Sequence, residues 1–272
     1  MRGKFAILCA VGLALCLGAS SLLAAAPEAD VQWSELARDI FKGRPLNDGT
    51  GLLSIEMPYR AEDAAIVPVT LRTALPTGDT RSVKTITLVI DQNPSPVAAT
   101  FTIDPGVSMI STRVRVNSYT KVHAVAELSD GALYVVETYV KASGGCSAPA
   151  ARDTQQAKVT LGLMRFRQFA APKQAPASTT REAQIMIRHP NNSGLQMDQI
   201  THLYVPLFIV DRLRVWQGDR LLLAVEGGIS ISEDPNIRFA YRPNGAAAFR
   251  AEASDTEGHV FRAEWPAERS DM

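Results

Sequence analysis

The sequence predicts an all-β protein of two β-sandwich domains preceded by one short helix. Three observations lead there. About seven short runs of alternating apolar and polar residues fall between Leu53 and Val140, at the spacing of a sandwich. A second series of such runs extends from Ala183 to Trp265. Between the two lies a stretch with two prolines and no core-forming residue, Ala170 to Thr180.

The elements follow in chain order. Arg2 and Lys4 precede an apolar run from Phe5 to Leu23, and Ala24-Ala25-Ala26 offers the small side chains that a signal peptidase requires. Residues 1–26 are therefore expected to be a cleaved signal peptide, which places the mature protein in the periplasm with no membrane association. The alternative is an uncleaved anchor, since the run is also about the length of a membrane span. Cys16 follows Leu15, not the small residue that a lipidation site needs. Trp33, Leu36, Ala37, Ile40 and Phe41 share one helix face, and Gly43 and Pro45 end that helix.

Strands are predicted at Leu53–Met57, Ile66–Leu71, Val83–Ile90, Val97–Ile103, Ile110–Val116, Val122–Leu128 and Leu133–Val140, with Asp130-Gly131 as the clearest hairpin turn. From Ser147 to Phe169 the pattern leans to a short helix, although Val159, Leu161 and Leu163 alternate like a strand. The first domain thus covers 27–169, a linker 170–181, and the second domain 182–272. Second-domain strands are expected at Ala183–Arg188, Leu203–Val210, Leu213–Trp216, Arg220–Val225, Ile237–Tyr241, Ala246–Ala251 and Val260–Trp265. The mature length suffices for two cores of about a hundred residues each.

Charge and cysteines narrow the function. The net charge is zero over the whole chain and slightly acidic once Arg2 and Lys4 are removed, which excludes a nucleic-acid partner. Cys9 and Cys16 leave with the signal, so Cys146 is the single thiol of the mature chain and has no internal disulfide partner. It lies in Lys141-Ala-Ser-Gly-Gly-Cys-Ser-Ala-Pro149, where Gly144 and Gly145 relax the backbone and would present the sulfur away from the sheet. Lys141, and a helix starting at Ser147, would favour a thiolate. The other reading is a small apolar core residue, since free cysteines are often buried. Gly-Gly-Cys-Ser is neither periodic nor flanked by apolar residues, which favours a functional thiol.

These residues resemble a family. Gly144-Gly145-Cys146 at the end of a strand is similar to the carrier tail of SoxY, the sulfur-oxidation carrier subunit. Met57-Pro58-Tyr59-Arg60-Ala61-Glu62-Asp63-Ala64-Ala65-Ile66-Val67-Pro68-Val69 resembles its opening strand pair. Ile187-Arg188-His189-Pro190-Asn191-Asn192-Ser193-Gly194 and Val205-Pro206-Leu207-Phe208-Ile209 resemble the partner subunit SoxZ. The order fits the fused SoxYZ-like carriers associated with quinoprotein dehydrogenases. The resemblance implies an immunoglobulin-like sandwich for each half, and intermediates bound covalently to Cys146 while other proteins act on them. In the free carrier Gly-Gly-Cys-Gly-Gly ends the chain, whereas here Ser147-Ala148-Pro149 follows and the chain continues to residue 272.

Other constellations are weaker. His123, His189, His202 and His259 form no close pair and have no ligand at metal spacing, so neither a metal nor a cofactor is expected. His123 reads as a half-exposed strand residue. Glu62-Asp63 and Glu233-Asp234 read as solvated turn charges. The protein is thus expected to be no enzyme but a periplasmic carrier of a small, sulfur-containing intermediate on Cys146. Its partners would be periplasmic enzymes of the sulfur-oxidation or quinoprotein-dehydrogenase type. The alternative is a non-catalytic docking module for such a dehydrogenase.

Overall fold

Short strands with apolar residues at every second position leave one face of each sheet to be covered, and here two sheets cover each other. The computed structural model describes residues 28–149, 159–169 and 180–267. The signal segment, residues 150–158 and most of the expected linker lie outside the described residues.

The chain begins with α1 (Glu28–Ile40) and β1 (Leu46–Asp48). Seven further strands complete the first half: β2 (Leu53–Glu56), β3 (Val67–Thr73), β4 (Val83–Ile90), β5 (Val97–Ile103), β6 (Met109–Val114), β7 (Thr120–Leu128) and β8 (Leu133–Val140). The second half holds β9 (Met164–Phe169), β10 (Arg181–Ile187), β11 (Val210–Gln217), β12 (Arg220–Gly227), β13 (Asn236–Tyr241), β14 (Ala248–Asp255) and β15 (Val260–Pro266). The all-β architecture with one helix is the one the sequence predicts. Asp130-Gly131 does turn the β7–β8 hairpin, with Gly131 at φ +85° and its N–H bonded to Leu128 O.

What the sequence does not show is how the halves join. One sheet of nine strands runs β1-β8-β7-β4-β5-β12-β11-β14-β15, and the other, of six, runs β2-β3-β6-β13-β10-β9. Both sheets pass from one half into the other. At the first crossing Ala99–Ile103 of β5 pairs antiparallel with Leu223–Gly227 of β12, and at the second Met109–Ser111 of β6 pairs with Arg238–Ala240 of β13. A single large core results in place of the two expected. Phe101, Leu88 and Val69 belong to it together with Phe239, Phe249 and Val215 from the second half. Each such buried side chain contributes about 1.5–3 kcal/mol. Asp104 and Arg220 add an ion pair across the seam, with Arg220 Nε donating to Asp104 Oδ2 at 2.8 Å.

Two local expectations fail. Met164–Phe169 is a strand, not part of a helix: β9 closes the edge of the smaller sheet by pairing with β10, while the short helix expected after Ser147 falls mostly on residues 150–158, outside the described residues. Leu203–Val210 is no strand either. It is held by isolated bridges, Met197 with Tyr204 and Asn192 with Phe208, and regular pairing begins only at Val210.

The helix packs on the outer side of the larger sheet, where Trp33, Ala37 and Ile40 meet Phe41, Val125 and Leu133. Trp33 stacks on His123 with ring centres 3.5 Å apart. His123 is buried, not half-exposed as expected, because α1 covers it and because its ring nitrogens reach Asp91 Oδ1 (2.9 Å) and Glu137 Oε2 (3.0 Å).

Continuous sheets make the halves inseparable under native conditions. Cutting the mature chain at a protease site engineered into residues 171–178 leaves both fragments in one peak on size exclusion, and only denaturant parts them. Fragments that separate in native buffer would contradict the shared sheets.

Candidate functional site

The cysteine turn is built from the end of β8. Val140 and Ala142 are buried in the core, and Lys141 bridges to Arg60, so the chain leaves the sheet already pinned. Gly144 adopts φ +77°, a left-handed conformation that glycine takes without strain, and turns the chain back. The N–H groups of Gly144 and Gly145 then donate to Asn117 O (2.9 Å) and Val116 O (3.0 Å). Ser147 N–H closes the turn on Gly144 O at 3.2 Å.

Gly145 is there for close approach and not for motion. A Cβ at this position would stand 2.0 Å from Ala64 O and 2.7 Å from Val116 O, both backbone atoms that cannot give way. The expectation of a loose hinge presenting the sulfur is therefore corrected at the level of conformation: the turn is tightly packed. Cys146 is 0% exposed. Burial pushes its thiol pKa up to about 11, and nearby Arg115 offsets only part of that shift. At neutral pH the group is a thiol. Neither of the expected activating groups acts on it. Lys141 turns outward with its Nζ 4.8 Å from the centre of the Tyr59 ring, and no helix begins at Ser147 within the described residues.

The second half closes the turn. Ser193 Oγ donates to Cys146 O at 2.5 Å, and Gln196 Nε2 donates to Ala148 O at 2.9 Å while its Oε1 accepts from Ser193 N–H at 3.0 Å. Arg115 connects the two sides from beneath. Its Nη1 donates to Gly145 O (3.2 Å) and its Nη2 to Asn191 O (3.4 Å). Asn191 is itself wholly buried at φ +46°; its side chain bonds Ile231 O and Val210 N–H. Its N–H donates to His189 Nδ1 at 3.1 Å, which leaves the His189 proton on Nε2, facing Asp255 Oδ2 at 3.5 Å. Burial lowers the His189 pKa against the pull of Asp255. His259 Nδ1 holds the same Asp255 oxygen at 2.8 Å. No group of three potential metal ligands occurs among the described residues.

Sequence reasoning missed Arg115 and the clamp of Ser193 and Gln196. Alternation along Ile110–Val116 turns Arg113 and Arg115 away from the core, which reads as solvent exposure. That face is instead covered by the cysteine turn and by Asn191. Farther along the face, Arg113, Arg165 and Arg188 with Asp234 line a cleft of about 360 Å³. Asp63 and Glu233, read as solvated turn charges, lie close enough for their fields to act on Arg115.

The model of the family described as sulfur oxidation protein SoxY matches residues 37–146, and that of sulphur oxidation protein SoxZ matches residues 169–266. The chain is a SoxYZ-like fusion. The SoxY part ends at Cys146 itself, and the residues that clamp its turn, Asn191, Ser193 and Gln196, all belong to the SoxZ part. Among solved structures, the sulfur carrier protein SoxY from Chlorobium limicola f thiosulfatophilum is 25% identical, covering 42% of this chain and 94% of its own, at TM-score 0.36. A superoxide reductase (neelaredoxin) from Ignicoccus hospitalis is 14% identical, covering 33% and 79%, at TM-score 0.29. Superpositions this loose carry no argument here. A search of curated proteins gives no match.

The packing at Gly145 is directly testable. Gly145→Ala forces the turn off Ala64 and Val116, so it lowers stability by about 1–3 kcal/mol in urea unfolding and makes Cys146 accessible to alkylation. An alanine variant with wild-type stability and an unreactive thiol would show that the turn is not packed this way.

Proposed function

We propose that this SoxYZ-like protein is a non-catalytic periplasmic carrier, exported by cleavage after residue 26, that holds a small sulfur-containing intermediate covalently on Cys146. Gly144 and Gly145 shape the turn that presents the cargo. Partner enzymes of the sulfur-oxidation type, or a quinoprotein dehydrogenase, act on it. The observation that carries this reading is the position of the only thiol among the described residues: at the seam of the SoxY and SoxZ parts, in a turn whose carbonyls accept three hydrogen bonds from the side chains of Arg115, Ser193 and Gln196. The closed turn shields a labile adduct from water and reductant, and an open turn offers it to an enzyme. Next to the clamp, the segment after Gln196 bears exposed apolar side chains, Met197, Ile200 (89% exposed), Leu203 and Tyr204, a surface on which a partner can bind and draw the clamp aside.

Burial of the sulfur also favours a second reading, in which Cys146 is structural and the protein is a docking module for the dehydrogenase. The intact mass of protein purified from the periplasm, with and without reductant, separates the two. The carrier reading predicts an adduct on the peptide containing Cys146 that reductant removes once the protein is unfolded, and its loss in Cys146→Ser. An unmodified thiol in every preparation, with partner binding preserved in the serine variant, would contradict the carrier and leave the docking module.

A further inference from the structure

Arg115 is the bulkiest of the fully buried side chains, 1% exposed, and a guanidinium stays charged under any condition in which a protein is folded. Its environment serves that charge poorly. The two carbonyl bonds, at 3.2 and 3.4 Å, are long for charge-assisted hydrogen bonds, and Nε has no partner among the described residues. No carboxylate of the described residues forms an ion pair with it, and the fields of Asp63 and Glu233 reach it more weakly than that of an ionised Cys146. At neutral pH that sulfur is uncharged, since burial has moved its pKa to about 11. The free protein therefore holds a buried cation, with unused bonding capacity, against the turn of a neutral thiol. Unpaired buried charge is among the costlier features a fold can keep.

We propose that Arg115 is the counter-ion for an anionic sulfur group attached to Cys146, such as a thiosulfonate or persulfide, and that it makes the closed turn selective for anionic over neutral adducts. The assignment rests on the carrier reading of Cys146. A negative charge on the group beyond Sγ satisfies the guanidinium, Nε included, in exchange for the two long carbonyl bonds. A neutral adduct of similar reach leaves the cation as it was.

The test installs both kinds of adduct chemically on the mature full-length chain, loaded in mild urea and returned to native buffer. With tetrathionate, the Cys146 thiolate attacks a central sulfur. A Sγ–S bond forms, the central S–S bond breaks, and thiosulfate leaves with its electron pair, so the product is the anionic Cys146–S–SO3⁻. With methyl methanethiosulfonate the same attack releases methanesulfinate and leaves a neutral methyl disulfide. Neither reaction needs a further oxidant. The anionic form of the wild type is expected to melt higher than the methyl form, by at least about 2–4 °C. In Arg115→Met the difference disappears or reverses, and in Arg115→Lys most of it remains. Equal differences in wild type and Arg115→Met, or a wild-type anionic form no more stable than the methyl form, would overturn the assignment. The wild-type pair decides the matter alone if Arg115→Met fails to fold. Because loading is chemical, the result is independent of whether the cell loads Cys146, which the native mass measurement tests separately.

Discussion

The pairing of β5 with β12 and of β6 with β13 is the constraint on which the rest of the molecule depends. Each half taken alone would end in unpaired strand edges with an apolar face beside them, a template for aggregation. Joined, the halves satisfy those edges and share one core. The same pairings fix the register between the halves, and with it the position of Asn191, Ser193 and Gln196 over the end of β8. Cys146 is buried because the seam brings the SoxZ segment onto it, and not because its own neighbours are apolar.

The site is held from both halves of the chain. Asn191 is bonded to His189 Nδ1, Ile231 O and Val210 N–H, His189 Nε2 faces Asp255 at 3.5 Å, and Arg115 is attached through Asn191 O. The cysteine turn is fixed by the backbone N–H bonds of Gly144 and Gly145 to Asn117 and Val116 and by three side-chain donors, Arg115, Ser193 and Gln196. Beyond Gln196 the segment is closed by a few backbone bonds, among them Asp198 N–H to Leu203 O and Val205 N–H to Gln196 O, and it carries exposed apolar side chains.

Much of the fold was legible in the sequence, because strand alternation and turn chemistry are local. Val83–Ile90, Val97–Ile103 and Leu133–Val140 have the bounds the pattern gives them. The seam was not legible, since no local signal tells β5 that its neighbour lies more than a hundred residues away. The same holds for Arg115. Strand parity correctly turns it away from the core, and only tertiary structure reveals that the outward face is covered. Gly145 misled for a related reason: glycine permits both mobility and close approach, and here the carbonyls of Ala64 and Val116 select the second. His123 shows the same limit, its burial being supplied by a helix whose Trp33 lies 90 residues upstream.

The central claim is that the cysteine turn is a locally gated site, closed by the SoxZ part and able to open without unfolding the sheets. It is tested most directly by the rate at which a small thiol reagent labels Cys146 in the native mature chain at low denaturant concentrations, in the wild type and in Ser193→Ala/Gln196→Ala. The account predicts slow wild-type labelling that is independent of denaturant until the protein unfolds. Labelling at least about tenfold faster is expected in the double variant, still at denaturant concentrations well below its global unfolding transition. Labelling that tracks global unfolding at every denaturant concentration, and that the two substitutions leave unchanged, would show that Cys146 is a sealed core residue and contradict the account.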